Sequence, residues 1–214
     1  MQVHAVCGYP GNSHAWEGEW DRAHWRARNL VKGVKHEAFK GYSDWTAQPA
    51  GNRVRQNSDA AGQRLALQVA GSKIVSLMDA AGIKAATIVP VPSSQTVAPG
   101  GDFTGARLAR AIEGRRAALV AAPALYFDAP QPKAHDGGGE RRWNMILPHL
   151  RGGASLSGPI VLIDDVMTLG GHLRACRRFL HAQGLQVDHA FVIGRTVWQR
   201  PANMFKIAAE ILPF

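Results

Sequence analysis

The sequence predicts an α/β protein built on a mostly parallel sheet. Short apolar segments with the character of buried strands alternate with helix-length amphipathic segments, which is typical of strand–helix–strand units with right-handed crossovers. The 214 residues, 46% of them hydrophobic and 19% charged, are enough for one well-filled core. One predicted strand, residues 160–163, ends in two carboxylates and a glycine-containing turn, so polar groups are expected at the carboxyl edge of the sheet.

From residue 58 onward the elements follow this alternation. Ser58 and Asp102 are placed to cap two helices, and Pro148 is expected to shorten a third. The predicted strands cover residues 86–91, 117–121, 125–127, 160–163 and 187–193. The predicted helices cover residues 58–81, 102–112, 141–150 and 171–183. Together they define an α/β domain over residues 58–214.

Residues 1–57 are predicted to form a separate basic helical element, or hood. Four of the six tryptophans lie in it: Trp16, Trp20, Trp25 and Trp45. Tryptophans in such a segment are expected to pack it onto the main domain. A platform on which nucleic-acid bases stack is the alternative interpretation.

The net charge of +9 favours anionic partners, either phosphorylated small molecules or nucleic acid. The excess is uneven, because residues 20–55 contain eight basic and three acidic residues and so contribute +5 of the total. A nucleic-acid surface on this basic element is one interpretation, and a solvated face that aids solubility is the other.

Several classes of protein are disfavoured by the same sequence. No apolar run approaches the roughly 20 residues that a membrane span needs. The first residues lack the layout of a secretory signal, and the two cysteines, Cys7 and Cys176, are far apart and outside any CxxC spacing. We therefore expect a cytoplasmic protein without a disulfide framework, and the histidine spacing predicts no metal held by the protein.

The most informative segment runs from Ile160 to Leu173. An apolar strand ends in Asp164 and Asp165, and a Thr-x-Gly-Gly turn then leads into an amphipathic helix. The unpaired N–H groups that open a helix attract phosphate, and carboxylates just before them can accept hydrogen bonds from sugar hydroxyls. An ordinary strand–turn–helix that carries two acids is the alternative.

This segment resembles the ribose 5-phosphate loop of type I phosphoribosyltransferases, in which two acids precede Val-x-Thr-Thr-Gly-x-Thr. Two residues depart from that pattern, because Leu169 replaces the second threonine and His172 replaces the last. The resemblance implies that Asp164 and Asp165 hold the ribose hydroxyls. It also implies that the 5-phosphate is wrapped by Val166, Met167, Thr168, Leu169, Gly170, Gly171 and His172.

A second resemblance is to the ComF branch of the same family. Ile88-Val-Pro-Val-Pro92, followed by the Asp102–Ile112 segment, is similar to that branch's Val-Pro-Val-Pro and Arg-Gly-Phe-Asn elements, although the arginine is missing here. The zinc ribbon that often precedes the ComF domain is also missing. The resemblance places Ser93 and Ser94 on the pyrophosphate side of the site.

Residues 128–139 are rich in proline and glycine. By resemblance they occupy the position of the family's flexible catalytic loop, which closes over the site and excludes water. Lys133 is then the expected cation on the loop and Arg141 the next one, acting with Asp164 and Asp165 in catalysis. A surface loop with an incidental lysine is the alternative.

The resemblance implies a phosphoribosyltransferase of nucleotide metabolism. It would use 5-phosphoribosyl 1-pyrophosphate as donor, with Mg²⁺ bound mainly by the substrate, and would displace pyrophosphate with a nitrogen nucleophile such as a nucleobase. The alternative is a non-catalytic regulatory protein that binds a phosphosugar or nucleotide and is linked to DNA uptake or processing. The resemblance leaves a homodimer open.

Overall fold

The computed structural model describes residues 1–10, 20–46, 51–132, 142–152 and 156–214. The strands are β1 (Gln2–Pro10), β2 (Ser43–Thr46), β3 (Arg53–Gln56), β4 (Ala86–Pro90), β5 (Leu119–Ala121), β6 (Leu125–Phe127), β7 (Leu150–Gly152), β8 (Ile160–Met167), β9 (Val187–Val197) and β10 (Glu210–Ile211). The helices are α1 (Arg22–Val34), α2 (Ala60–Ala80), α3 (Thr104–Glu113), α4 (Trp143–Ile146) and α5 (Gly171–His181).

A six-stranded sheet in the order β10-β1-β9-β8-β4-β5 forms the centre. All neighbours in it are parallel except the short edge strand β10, which is antiparallel to β1. Helix α2 contacts both α1 and α3, and the three helices pack on one face of the sheet, while α5 packs on the other with α4 and β7 beside it. The predicted α/β fold with a mostly parallel sheet is confirmed.

The N-terminal segment differs from the prediction. Residues 2–10 form β1, an inner strand that pairs with β9 from Gln2 to Pro10, and residues 43–56 carry the β2–β3 hairpin. Only α1 is helical within the described part of residues 1–57. The prediction of a separate helical element over residues 1–57 is therefore wrong for the residues of β1. Their pairing partner, β9, lies almost 190 residues away in the chain, so no local sequence pattern indicates this strand.

Helix α1 is tied to the hairpin through a buried polar contact. Trp45 is 4% exposed, and its indole Nε1–H donates to Gln56 Oε1 at 2.7 Å. The Gln56 amide in turn donates to the Asn29 carbonyl oxygen at 2.8 Å. Trp45 thus packs in the core, as the structural interpretation of the tryptophans predicted, whereas Trp16 lies outside the described residues.

Two predicted helix caps are wrong, and a third helix is shorter than its predicted range. Asp59, not Ser58, caps α2 by accepting from the Gly62 N–H at 2.7 Å, because the Ser58 hydroxyl accepts from the Phe39 N–H instead. Asp102 does not cap α3, since its carboxylate binds Arg107 and Arg110. The helix predicted over 141–150 is shortened, as expected from Pro148: among its described residues a four-residue α4 is followed by a 3₁₀ turn that contains Pro148.

None of the helices in the described ranges has the length and apolarity that a membrane crossing requires. Cys7 and Cys176 are both free and buried. Burial raises the pKa of the Cys7 thiol to about 12, and the thiol donates to the Ile193 carbonyl oxygen at 3.2 Å. Cys7 is therefore a core residue.

Candidate functional site

Two carboxylates lie near the end of the central strand β8. The strand extends to Met167, four residues beyond its predicted end, so Asp164 and Asp165 lie within it. Asp164 Oδ1 accepts from the Asp165 N–H at 2.8 Å, and Asp165 Oδ1 accepts from the Val166 N–H at 2.7 Å. Both side chains are half-buried. Each carboxylate is thus oriented by the next backbone amide and retains acceptor capacity for a ligand.

The two carboxylates differ in their electrostatic environment. Burial, followed by the adjacent charge of Asp165, raises the pKa of Asp164 well above the ordinary value of an aspartate. Two neighbouring acids in a partly desolvated site disfavour double ionisation. Asp164 therefore holds its proton to a higher pH than an ordinary aspartate does.

The turn after β8 has the geometry predicted for a glycine-dependent loop. Gly170 has φ +71° and occupies the N-cap of α5, where it offers no side chain to the open amides of the first turn. The Thr168 hydroxyl lies 3.2 Å from the Thr196 hydroxyl, and Leu169 is 53% exposed. The turn therefore presents backbone N–H groups at the start of an 11-residue helix, an arrangement suited to an anion.

The remaining residues of the predicted 5-phosphate loop take different positions. Val166 and Met167 belong to β8, and the Met167 side chain is 2% exposed in the core, so it faces away from any ligand. His172 lies in the first turn of α5, with its ring edge-to-face against Phe127 at 6.4 Å between centroids. Gly171 is the first residue of that helix.

Ser93 and Ser94 lie at the same edge of the sheet as the acids. They follow β4, whose Pro90 is aligned with Ile163 of β8, and the Val91 N–H donates to the Ile163 carbonyl oxygen at 2.8 Å. The Ser93 hydroxyl contacts the Thr96 hydroxyl at 2.8 Å. The structure thus brings together the acids, the glycine turn and the two serines.

Lys133 and Arg141 lie outside the described residues. The last described residues before Lys133 nevertheless show where that segment begins, because the Gln131 N–H donates to the Ser94 carbonyl oxygen at 2.7 Å. Gln131 therefore lies beside Ser94, and the assignment of residues 128–139 as a catalytic loop stays a prediction.

Tyr9 and Lys35, which the sequence interpretation did not place in the site, both have raised pKa values. Burial raises the pKa of the Tyr9 phenol. Although burial opposes it, the hydrogen bond to Glu37 Oε1 at 2.6 Å, together with the charge of Asp165, raises the pKa of the Lys35 ammonium. Lys35 had been counted only toward the net charge, because neither spacing nor motif connects the end of α1 to the tip of β8.

Much of the basic stretch is engaged within the protein. Arg22 and Arg55 form ion pairs with Asp44 at 3.0 and 3.5 Å, and the Arg26 guanidinium lies 4.5 Å from the centre of the Trp45 ring. These contacts give the stretch a structural role in joining α1 to the β2–β3 hairpin.

Within the described ranges, no group of three or more His, Cys, Asp or Glu side chains is arranged to hold a metal ion. The prediction that Mg²⁺ arrives with a diphosphate substrate stays a prediction.

No family model and no curated protein matches this chain. Solved phosphoribosyltransferase structures are similar to it. Leishmania donovani UMP synthase is 14% identical with a TM-score of 0.42 over 80% of this chain, and the chain spans 31% of that protein's length.

This chain covers a larger share of two further structures. Orotate phosphoribosyltransferase from Aeropyrum pernix is 18% identical with a TM-score of 0.41, over 78% of this chain and 81% of that one. The adenine phosphoribosyltransferase (APRTase) from Giardia lamblia, complexed with 9-deazaadenine, is 13% identical with a TM-score of 0.42, over 73% and 94%.

Proposed function

We propose that the protein binds 5-phosphoribosyl 1-pyrophosphate and transfers its phosphoribosyl group to a nitrogen nucleophile, with release of pyrophosphate. The observation that carries this proposal is the sequence of groups at one sheet edge: Asp164 and Asp165 near the end of β8, followed by the Gly170 turn that opens α5. Adjacent carboxylates suit the vicinal hydroxyls of a ribose, and the open amides suit its 5-phosphate.

The carboxylates and the serines would have separate tasks. Asp165 and Asp164 would accept hydrogen bonds from the ribose hydroxyls and hold the anomeric carbon in place. Ser93 and Ser94, on the neighbouring strand end, would line the side on which pyrophosphate leaves. Lys133 and Arg141 would balance the charge of the leaving group, whose oxygens would also bind Mg²⁺.

Donor binding can be tested by thermal denaturation. Phosphoribosyl pyrophosphate with Mg²⁺ should raise the melting temperature of the parent protein, because a ligand that binds only the folded state stabilises it. The combined Asp164→Asn and Asp165→Asn variant should fold and lose that rise. Asp188→Asn, on the exposed part of β9, is the matched control and should keep it. A double variant that responds like the parent would remove the two acids from the site.

A second candidate is a regulatory protein that binds the phosphosugar without turnover. Leu169 favours it, because this exposed side chain stands in the turn where a hydroxyl would donate to phosphate. Pyrophosphate release, measured across a panel of nucleobases, separates the two candidates. Release with any base supports the transferase, whereas donor binding without release supports the regulator. The ComF-like affiliation also belongs to this proposal.

Nucleic acid is a further proposed partner, through the basic residues of the N-terminal stretch. Arg53 and Lys40 are exposed, so they can be neutralised without removing the ion pairs to Asp44. If both contact phosphates, Arg53→Gln with Lys40→Gln should reduce the slope of log affinity against log salt by about 2. If the parent has no measurable affinity for DNA or RNA at low salt, the stretch is a solvated face.

A further inference from the structure

Helix α5 carries a line of basic side chains along one face. We call this set the α5 basic row, and its members are Arg174, Arg177, Arg178 and His181. Their spacing of i, i+3, i+4 and i+7 places them on the same side of the helix, over about 10 Å of its length. None of the 11 residues of α5 is acidic, and the sequence contains no acid between Asp165 and Asp188. The row is therefore a local concentration of positive charge.

The arginines of the α5 basic row are not neutralised within the protein. In the described part of the chain, the side chains of Arg174, Arg177 and Arg178 make no ion pair and no hydrogen bond. Both arginines of α3, by contrast, bind Asp102. The Nε atoms of Arg174 and Arg178 are buried and have no acceptor among the described residues. These two guanidinium groups are thus partly desolvated before any anion binds, which lowers the cost of binding one.

Two aromatic rings hold part of the row in place. The Arg178 Cζ lies 3.9 Å from the centre of the Trp143 ring and 5.0 Å from that of the Phe214 ring. The Arg177 Cζ lies 4.4 Å from the centre of the Phe214 ring, which also meets the His181 ring edge-to-face at 4.9 Å between centroids. A ring covers the face of a guanidinium and leaves its in-plane N–H groups to donate hydrogen bonds. The row is therefore preorganised for oxyanions such as phosphates.

An open aromatic surface borders the row. Phe214 is 53% exposed although it contacts both Arg177 and Arg178, so part of its ring faces solvent. Nucleobases of a single strand stack on such rings while cations bind the neighbouring phosphates. The bases of a duplex are already paired and stacked on each other, and an acidic peptide offers the ring no flat base. The combination of arginines and open ring therefore fits single-stranded nucleic acid best.

We infer that the α5 basic row and the Phe214 ring bind single-stranded nucleic acid, the arginines through its phosphates and the ring through a base. This surface differs from the basic N-terminal stretch, in which Arg22 and Arg55 are paired with Asp44. It begins one turn beyond the Gly170 turn and does not require that the phosphosugar site bind its ligand.

Fluorescence anisotropy with a labelled single-stranded oligothymidine, recorded at several salt concentrations, tests the inference. Arg174→Gln, Arg177→Gln and Arg178→Gln combined should raise the Kd at least about tenfold. The same variant should reduce the slope of log affinity against log salt by about 2, because each phosphate contact of a single strand contributes about 0.7. If the loss of the Trp143 contact impairs folding, Arg174→Gln with Arg177→Gln leaves that contact intact and should still reduce the slope by about 1.4.

The matched control removes the same charge from other parts of the surface. Arg64→Gln, Arg115→Gln and Lys206→Gln combined neutralise three exposed cations and should leave the slope unchanged. Equal losses in the two triple variants would show that net charge alone attracts the strand, and would overturn the inference.

Phe214→Ala examines the base contact without removing a charge. It should raise the Kd for the single strand by about tenfold and keep the salt slope of the parent, since stacking releases no counterions. Parent-like affinity in this variant, or equally tight binding of a duplex of the same length by the parent, would contradict the assignment to a single strand.

The outcomes separate this inference from the earlier proposals. If the slope falls only in Arg53→Gln with Lys40→Gln, nucleic acid binds at the N-terminal stretch and the inference fails. A parent without affinity for the strand at low salt also overturns it. If the parent binds no phosphoribosyl pyrophosphate but the arginine variants lose affinity for the strand, the proposed transferase function fails and the inference stands.

Discussion

Gly170 packs directly against Leu212, so that a Cβ added at residue 170 would lie 2.8 Å from Leu212 Cδ1 and 2.9 Å from Cδ2. Leu212 follows the edge strand β10, and its N–H donates to the Met1 carbonyl oxygen at 2.9 Å. The C-terminal segment therefore packs against the glycine turn. The conformation of the candidate phosphate loop depends on a residue more than 40 positions away.

This contact makes Gly170 sensitive to the smallest substitution. Gly170→Ala should destabilise the protein by about 2–5 kcal/mol, of which roughly 1–2 comes from the left-handed backbone and about 1–3 from overpacking against Leu212. Gly184→Ala is the matched control, because Gly184 has φ +77° and nothing within 4 Å of an added Cβ, so only the backbone cost remains.

A double-mutant cycle identifies Leu212 as the obstacle. Gly170→Ala with Leu212→Ala should be less destabilised than the sum of the single variants by about 1 kcal/mol or more, as measured by urea denaturation. Additive values would mean that the turn relaxes away from Leu212.

Asp164→Asn is expected to stabilise the protein at neutral pH while weakening donor binding. The folded-state pKa of Asp164 is raised by burial and by Asp165, so its contribution to stability is complete below the unfolded value of about 3.9 and is lost as pH rises through the folded pKa. The asparagine has no such loss. The difference in unfolding free energy between variant and parent should grow as pH rises above the unfolded value of about 3.9 and be absent for the control Asp188→Asn.

His4 should make the protein less stable as pH falls, whereas Asp164 makes it less stable as pH rises. Its Nε2 lies 3.2 Å from Nδ1 of His189, its ring stacks on Phe191, and burial followed by the charge of His189 lowers its pKa. The stability associated with neutral His4 is complete above about pH 6.5 and is lost as pH falls through the lowered folded pKa.

The check is the melting temperature at pH 7.5 and pH 5.5. His4→Gln should lose less stability over this interval than the parent. His181→Gln, on the exposed end of α5, should behave like the parent. An unchanged pH dependence in His4→Gln would exclude the histidine pair as its source.

Leu169 and His172 should limit the affinity for the donor. A hydroxyl that donates to a charged phosphate contributes about 1–3 kcal/mol, so the loss of two such donors weakens binding on the order of a hundredfold. Leu169→Thr combined with His172→Thr should therefore lower the donor Kd measured by calorimetry. Leu169→Ala removes the exposed side chain without adding a hydroxyl and should not. Equal or weaker binding by the double variant would mean that the loop is adapted to another phosphate ligand.

Local sequence was sufficient to predict the elements that are stabilised by short-range patterns. The strand beginning at Ile160 and the glycine turn before α5 were assigned correctly, although the strand continues through both acids to Met167, because strand propensity, turn geometry and helix opening are determined within a dozen residues. Strand β4 was found in the same way, and with it the position of Ser93 and Ser94 beside the acids.

The tertiary structure decided what depends on distant partners. Residues 2–10 become an inner strand only because β9 pairs with them, and Met167 is turned into the core by packing that its neighbours in sequence do not reveal. The same holds for the packing of α1 on the sheet, where a Cβ added to Gly194 would lie 3.1 Å from Val31 Cγ2. Sequence by itself determined the strand, the acids and the turn of the candidate site, whereas the contact of Leu212 with that turn and of α1 with the sheet arise from long-range packing, which no local periodicity encodes.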